Sequence, residues 1–365
     1  MVQGIETWVA PGVRGLAPYQ PGKPISDLER ELGIQDIVKL ASNENPLGYS
    51  PHVRDALSSA LPDMARYPDG GGYALKSALA RYYGLTQDQV TLGNGSNDVL
   101  DIVARTFLTH EQGAIVAQYA FAIYALTVQA MSAPLQVVPA IHYGHDLTAM
   151  AQAVQVSTRL IFIANPNNPT GSSVSQQELK VFMQELPPHV HVVLDEAYLE
   201  YSDEGGVDAA TWIEQFPRLI ICRTFSKAYG LAGLRIGYAL SSAPVANLLN
   251  RVRQPFNVSS LGLVAAEAAL ADQDFVMRTR QLNQAGLQQL RAPLEGKGLQ
   301  VLPSQGNFLC LDMGRPAQPV YEALLRQGVI VRPLGGYGMP NHLRVSVGLP
   351  EENARFLTAL DHVLS

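Results

Sequence analysis

Lys227 is the residue from which the chemistry of this chain can be read. It lies in TFSKAYGLAGLRIGY, residues 224–238, preceded by two hydroxyls, Thr224 and Ser226, and followed by Arg235. The run Leu219-Ile220-Ile221-Cys222 just before it is short and apolar, as in a strand buried on both faces, and a second such run begins after Arg235. Lysine is rarely buried unless something neutralises or uses its charge. An amine at a strand end can condense with an aldehyde, and a guanidinium fork beside two hydroxyls suits phosphate oxygens. A Schiff-base lysine next to a cradle for the phosphate of pyridoxal phosphate is the economical reading. A solvated lysine beside a flexible loop is the bland one.

Other stretches carry polar residues at strand ends. GNGSNDVLDIVARTF (93–107) reads as a strand end, a glycine-rich turn and an amphipathic helix. Ser96 or Asn97 is expected to cap that helix, whose free N–H groups would face an anion placed there. Phe121, entering the next helix, could lie flat on a ring or be plain core. Leu160–Ile163 runs into NPNNPTG, a tight turn where open α/β sheets place ligands, which makes Asn168 a candidate donor. Asp195 ends the buried run Val192–Leu194 and opens DEAY; a buried aspartate needs a partner, and a pyridinium N–H would be one. Tyr67, in RYPDGGGY, has no apolar periodicity to explain it, and Tyr19 lies in the proline-rich segment 1–24, an extended arm. Arg332 and Arg344 each stand inside a strand-like run. His142 and His145 in HYGHD have no third ligand nearby and read as solvated loop histidines, with Glu200 and Asp203 as surface charges.

The elements that must position these residues alternate, strand then helix, from about residue 90 to 240. The fold class is therefore α/β, a mostly parallel sheet with helices on both faces, followed by a smaller α+β unit. The expected organisation is an arm and short helix over 1–35, a large domain over 36–258, interdomain helices over 259–290 and a small domain over 291–365. Ser26 is expected to cap the first helix. Hydrophobic residues make up 47% of the 365 and charged residues only 16%, against an ordinary ~25%, which favours an oligomer. A net charge of −6 without a basic cluster argues against nucleic acid. Cys222 and Cys310 sit in apolar runs and read as core thiols. No metal spacing, signal segment or membrane-length apolar run is present, so a cytoplasmic location is expected.

NPNNPTG, DEAY and TFSKAYGLAGLRIGY, in this order and spacing, resemble the fold type I, aspartate-aminotransferase-like family of pyridoxal phosphate enzymes, over nearly the whole chain. KLASNENPLG, RYPDGGGYALKSALA and VRPL…LRVSVG narrow the resemblance to the histidinol-phosphate aminotransferase branch. The resemblance implies a homodimer that transaminates histidinol phosphate with 2-oxoglutarate, giving imidazole-acetol phosphate and glutamate in histidine biosynthesis. It implies that Lys227 forms the cofactor imine and shuttles a proton, and that Asp195 holds the pyridine nitrogen. Tyr198 and Asn168 would bond the phenolic oxygen and Phe121 would stack on the ring. Gly95, Ser96, Asn97, Thr224, Ser226 and Arg235 would hold the phosphate, with Tyr67 arriving from the partner subunit. Arg344, Arg332, Asn43 and Tyr19 would bind substrate, Tyr19 again in trans. Relatives often carry acidic residues where this chain has Ser96-Asn97. The alternatives are an aromatic amino-acid aminotransferase, a threonine-phosphate decarboxylase and a cofactor-binding regulator; the last would need a DNA-binding domain, and only an arm precedes the fold.

Overall fold

The computed structural model describes residues 4–18, 22–202 and 209–365. Its strands are β1 (Val38–Lys39), β2 (Val90–Gly93), β3 (Gly113–Ala117), β4 (Leu135–Val138), β5 (Thr158–Ala164), β6 (His191–Asp195), β7 (Leu219–Thr224) and β8 (Gly237–Ser241). They are followed by β9 (Gln300–Val301), β10 (Phe308–Asp312), β11 (Val329–Ile330), β12 (Arg332–Pro333) and β13 (His342–Ser346). A seven-stranded sheet has the order β2-β8-β7-β6-β5-β3-β4, and a four-stranded sheet the order β12-β13-β10-β9. The large sheet is parallel from β7 to β4, while β8 runs antiparallel to both β7 and β2. The small sheet is antiparallel.

The central strands read as apolar runs because both their faces are covered. In β5, every residue but Arg159 is buried, and β7 is buried throughout. One large apolar cluster surrounds this sheet. A second gathers around the small sheet, where Leu290 and Leu294 of the helix Gln273–Gly296 meet Phe356 and Leu360 of the helix Pro350–Leu364.

Chain direction makes a crevice. After β3 the chain moves outward to the edge strand β4, whereas after β5 it moves to β6 and β7 on the other side. Ligands in open α/β sheets sit at such a reversal, beyond the carboxyl ends of the strands. Phe121 follows β3, the turn Asn165–Gly171 follows β5, Asp195 ends β6, and Lys227 follows β7. Both Asn–Pro peptide bonds of that turn are cis.

Two capping expectations are corrected. The helix Ile25–Leu32 is preceded by Pro24 without a side-chain cap, so Ser26 lies inside it. The helix Ser96–Phe107 has Gly95 as its N-cap, again without a side-chain cap. The nearby Asp98 carboxylate instead accepts from the Asn94 N–H at 2.8 Å. A side chain at the cap position would block the approach of Arg235, as shown below.

The turn after Lys227 is held against the loop Asn43–Gly48. Asn45 Nδ2 donates to the Ala228 carbonyl at 2.9 Å and to Thr279 Oγ1 at 3.0 Å. Gly230 has φ +73°, and a Cβ there would lie 1.8 Å from the Gly48 carbonyl oxygen. Backbone strain and the clash act together, so Gly230→Ala should destabilise the protein by roughly 1–3 kcal/mol or more. Urea unfolding of the purified variant checks this; an unchanged midpoint would show that the two loops are not held together by this contact.

Candidate active site

The carboxyl ends of these strands enclose a cavity of about 270 Å³. It brings together Asn43, Ser96, Asn97, Phe121, Asn168, Asp195, Tyr198, Thr224, Ser226, Lys227, Arg235, Arg332 and Arg344. Gly95 lies immediately behind Arg235. Tyr67 is not among the lining residues: it is 84% exposed and stacks on Phe256 with ring centroids 4.8 Å apart. Tyr19 lies outside the described residues.

At one end of the cavity the groups suit a phosphate. Arg235 Nη1 donates to Ser226 Oγ at 3.3 Å, and Thr224 Oγ1 accepts from the Ser226 N–H at 3.1 Å. The first N–H groups of the helix Ser96–Phe107 have no intrahelical acceptor, and Ser96 and Asn97 line the same cavity. Two glycines make the approach possible. A Cβ on Gly95 would lie 2.5 Å from Arg235 Nη2, and one on Gly237 would lie 2.6 Å from the Ser96 nitrogen. Arg235 itself adopts φ +54°, an uncommon left-handed conformation for a non-glycine residue.

In the middle, Lys227 Nζ donates to the Ser42 carbonyl at 3.1 Å and lies 5.7 Å from the Tyr198 ring centroid. Burial, followed by the Arg344 cation, pushes this amine down to about 8. Asp195 is buried; its Oδ2 accepts from the Tyr124 hydroxyl at 2.7 Å and its Oδ1 from the Ala197 N–H at 3.1 Å. Burial pushes its carboxyl up to about 6 in spite of those two donors. Tyr198 OH accepts from Asn43 Nδ2 at 2.9 Å, which leaves its own proton to be donated elsewhere. Burial raises that hydroxyl to about 12, so it stays protonated.

At the far end two arginines face one another. Arg332 of β12 and Arg344 of β13 are direct cross-strand partners. Arg344 Nη1 donates to Asn168 Oδ1 at 2.5 Å and Nη2 to the Ala41 carbonyl at 2.7 Å, while its buried Nε has no partner. Like charges opposite each other across strands are unfavourable unless an anion lies between them.

The site fits pyridoxal phosphate. The Gly95–Arg235 cradle has room for phosphate only because no Cβ fills it, an amine and a buried carboxylate stand in the same cavity, and Phe121 offers a flat face.

Residues 35–360 match the family model for aminotransferase class I and II. The chain belongs to the class I and II aminotransferase family. Within that family it is 55% identical to histidinol-phosphate aminotransferase 2 of Pseudomonas fluorescens over 358 residues, 97% of each chain. It is also 55% identical to the enzyme of the same name from Methylococcus capsulatus, over 99% of each. The solved histidinol-phosphate aminotransferase of Sinorhizobium meliloti, in complex with pyridoxal-5'-phosphate, is 30% identical with a TM-score of 0.90, covering 98% of this chain and 97% of that one. L-threonine-O-3-phosphate decarboxylase of Porphyromonas gingivalis, 22% identical with a TM-score of 0.81 over 90% of this chain and 99% of that one, shares the fold.

Several residues of this aminotransferase escape a reading of the sequence alone. Tyr124 lines the cavity and bonds Asp195; its only signal is its place three residues after Phe121, the N-cap of its helix. Ser42 and Ala197 act through backbone atoms, which no side chain announces. Two peripheral expectations are corrected. His145 is buried, with Nε2 2.9 Å from the Ala164 carbonyl, and is not solvated. Glu200 is no simple surface charge, since burial pushes its carboxyl up to about 7; Asp203 lies outside the described residues. Cys222 and Cys310 are buried thiols as expected.

With the Lys227 amine at about 8, an amine-selective reagent applied to the cofactor-free protein should modify it half-maximally near that pH. Below the midpoint the amine is charged and inert; above it, neutral and nucleophilic. Peptide mapping by mass spectrometry checks this, and a midpoint near that of an exposed lysine would remove the argument from burial.

Proposed function

We propose that this chain is a histidinol-phosphate aminotransferase of histidine biosynthesis, moving the amino group of L-histidinol phosphate to 2-oxoglutarate. The observation that carries the reading is the cross-strand pair Arg332 and Arg344 in the cavity that also holds Lys227 and Asp195. Two guanidiniums answer a phosphate dianion better than a single carboxylate. They also accept glutamate in the second half-reaction, so one site serves both substrates. The names of the relatives above support the same choice over an aromatic amino acid.

Pyridoxal phosphate, when bound, supplies the electron sink that makes the substrate Cα–H acidic. Ser96 and Asn97, through the helix start, together with Thr224, Ser226 and Arg235, hold the phosphate with charge-assisted bonds. Asp195 keeps a cationic ring nitrogen paired inside the protein, and that contact draws its own carboxyl back toward ionisation. Phe121 would cover one ring face. Tyr198, through its free hydroxyl proton, and Asn168 would hold the phenolic oxygen. Lys227 Nζ, neutral for part of the time near pH 8, is the group that would take up and return the substrate Cα proton. Arg344 and Arg332 orient the anionic end, with Asn43 beside them.

Single-turnover absorbance of the cofactor-loaded protein tests the substrate. L-histidinol phosphate and L-glutamate should each change the cofactor spectrum quickly and L-phenylalanine slowly. Equal or faster reaction with phenylalanine would give the chain to the aromatic aminotransferases instead.

The working unit in this reading is a homodimer in the cytoplasm. Supporting it is Tyr67, which stands outside its own cavity on an exposed aromatic pair with Phe256 and in this reading serves the cofactor phosphate of a second copy. Tyr19 is assigned to the partner's substrate in the same way. No described helix is long and apolar enough to cross a membrane. Tyr67→Phe should weaken cofactor retention by roughly tenfold, the value of one hydrogen bond to a charged group, and the protein should sediment as a dimer. A monomer that retains the cofactor in full would count against shared sites.

A further inference from the structure

We propose that Tyr124 is a positioning residue for the reaction assigned above: its hydroxyl holds Asp195 as an ionised carboxylate, fixed at the end of β6. This role rests on the reading of the site as a pyridoxal phosphate site. Tyr124 is fully buried in the helix Ala122–Ala130, among apolar side chains. Its ring is stacked on Phe162, with centroids 5.0 Å apart and planes 13° from parallel, and meets Phe121 edge-on at 5.7 Å. A ring clamped on two sides leaves the hydroxyl little freedom, because that oxygen lies on the axis about which the ring turns.

Phenylalanine would satisfy this packing equally well. A hydroxyl buried in such surroundings is costly unless it is bonded, and it donates to Asp195 Oδ2 at 2.7 Å. The second carboxylate oxygen takes the Ala197 N–H. Both donors favour the charged form, against the burial that pushes this carboxyl up to about 6. The titratable groups that face Asp195 are Tyr124, Lys227, Tyr198 and Cys222. Of these, Lys227 is the only cation, and in the working enzyme its amine is engaged by the cofactor or the substrate proton. Tyr124 is therefore the side-chain donor available to Asp195 at every stage. One helical turn carries both the ring-facing Phe121 and the hydroxyl that fixes the carboxylate.

The sign follows directly. Losing a donor to the ionised form raises the pKa of Asp195, so in Tyr124→Phe the carboxyl protonates at a higher pH and ceases to hold a cationic ring nitrogen. Affinity of the cofactor-free protein for pyridoxal phosphate should fall on acidification in both proteins, with the variant's midpoint about one pH unit higher. Equilibrium ultrafiltration from about pH 5 to about pH 8 reads this across the range where carboxylate linkage acts. Titrations of the cofactor itself cancel between the two curves. Phe162→Leu serves as the packing control: it should lower thermal stability yet move the midpoint by less than Tyr124→Phe does, because the hydroxyl donor is still present. Superimposable wild-type and Tyr124→Phe curves, or a loss of affinity uniform in pH, would overturn the role of Tyr124 and leave the aminotransferase reading intact. A wild-type protein that retains no cofactor at any pH would overturn that reading, and this inference with it.

Discussion

Among the cavity-lining residues are four cations, Lys227, Arg235, Arg332 and Arg344, and one carboxylate, Asp195. This surplus of positive charge in a partly enclosed space is the constraint on which the architecture depends. Elsewhere the protein balances buried charge internally: Arg223 and Glu196, both almost wholly buried, pair at 2.7 Å, and Arg223 also donates to the Tyr83 hydroxyl at 2.8 Å. Among the residues lining the cavity, one carboxylate stands against four cations. A surplus of one sign in a confined site is unfavourable, and anionic ligands relieve it. A ligand that binds only the folded form stabilises that form by mass action, and two phosphate-bearing ligands, one at each end, would do so in turn.

Holding cations close together requires backbone that side chains would obstruct, and three positive-φ residues at the site meet that need. Gly95 at φ +82° and Arg235 at φ +54° bring a helix start and a guanidinium together. Asn43, at φ +54°, ties the two sheets at the other end. Its N–H donates to Ser346 Oγ of β13, its carbonyl accepts from Asn307 Nδ2, and its side chain reaches Tyr198. One strained residue thus fixes the small sheet, which carries both far-end arginines, against the turn that carries Tyr198.

The parts of this site that were legible in the sequence are those where a polar residue interrupts an apolar run. Asp195 after Val192–Leu194 and Lys227 after Leu219–Cys222 could be found because a buried strand end makes charge conspicuous. The fold class followed for the same reason, since parallel strands covered on both faces lose their alternation and stand out as runs. β8 was legible as a strand but not as an antiparallel one, because direction is set by the length of the connection and the turn geometry, not by composition. Tyr124 was hidden because a tyrosine within QYAFAIYALTVQAM looks like one more core aromatic; only the position of its hydroxyl distinguishes it. His145 misled in the opposite sense. A histidine in a polar loop resembles a solvated one until the loop folds back and places its Nε2 on the Ala164 carbonyl.

The two far-end arginines show how strand pairing can set substrate chemistry. As direct cross-strand partners, Arg332 and Arg344 project from the same face of the sheet, at a spacing that pairing alone determines. Arg344 is the fixed member, held by Asn168 and the Ala41 carbonyl and lying 5.3 Å from the Phe308 ring centroid. Arg332 is only half-buried, at the short edge strand β12. In the proposed reaction a carboxylate is met by the fixed guanidinium, and a phosphate by both. Because Asn168 belongs to the turn after β5, anchoring Arg344 also anchors the small sheet to the large one. The group that would recognise substrate and the contact that aligns the two sheets are therefore the same side chain.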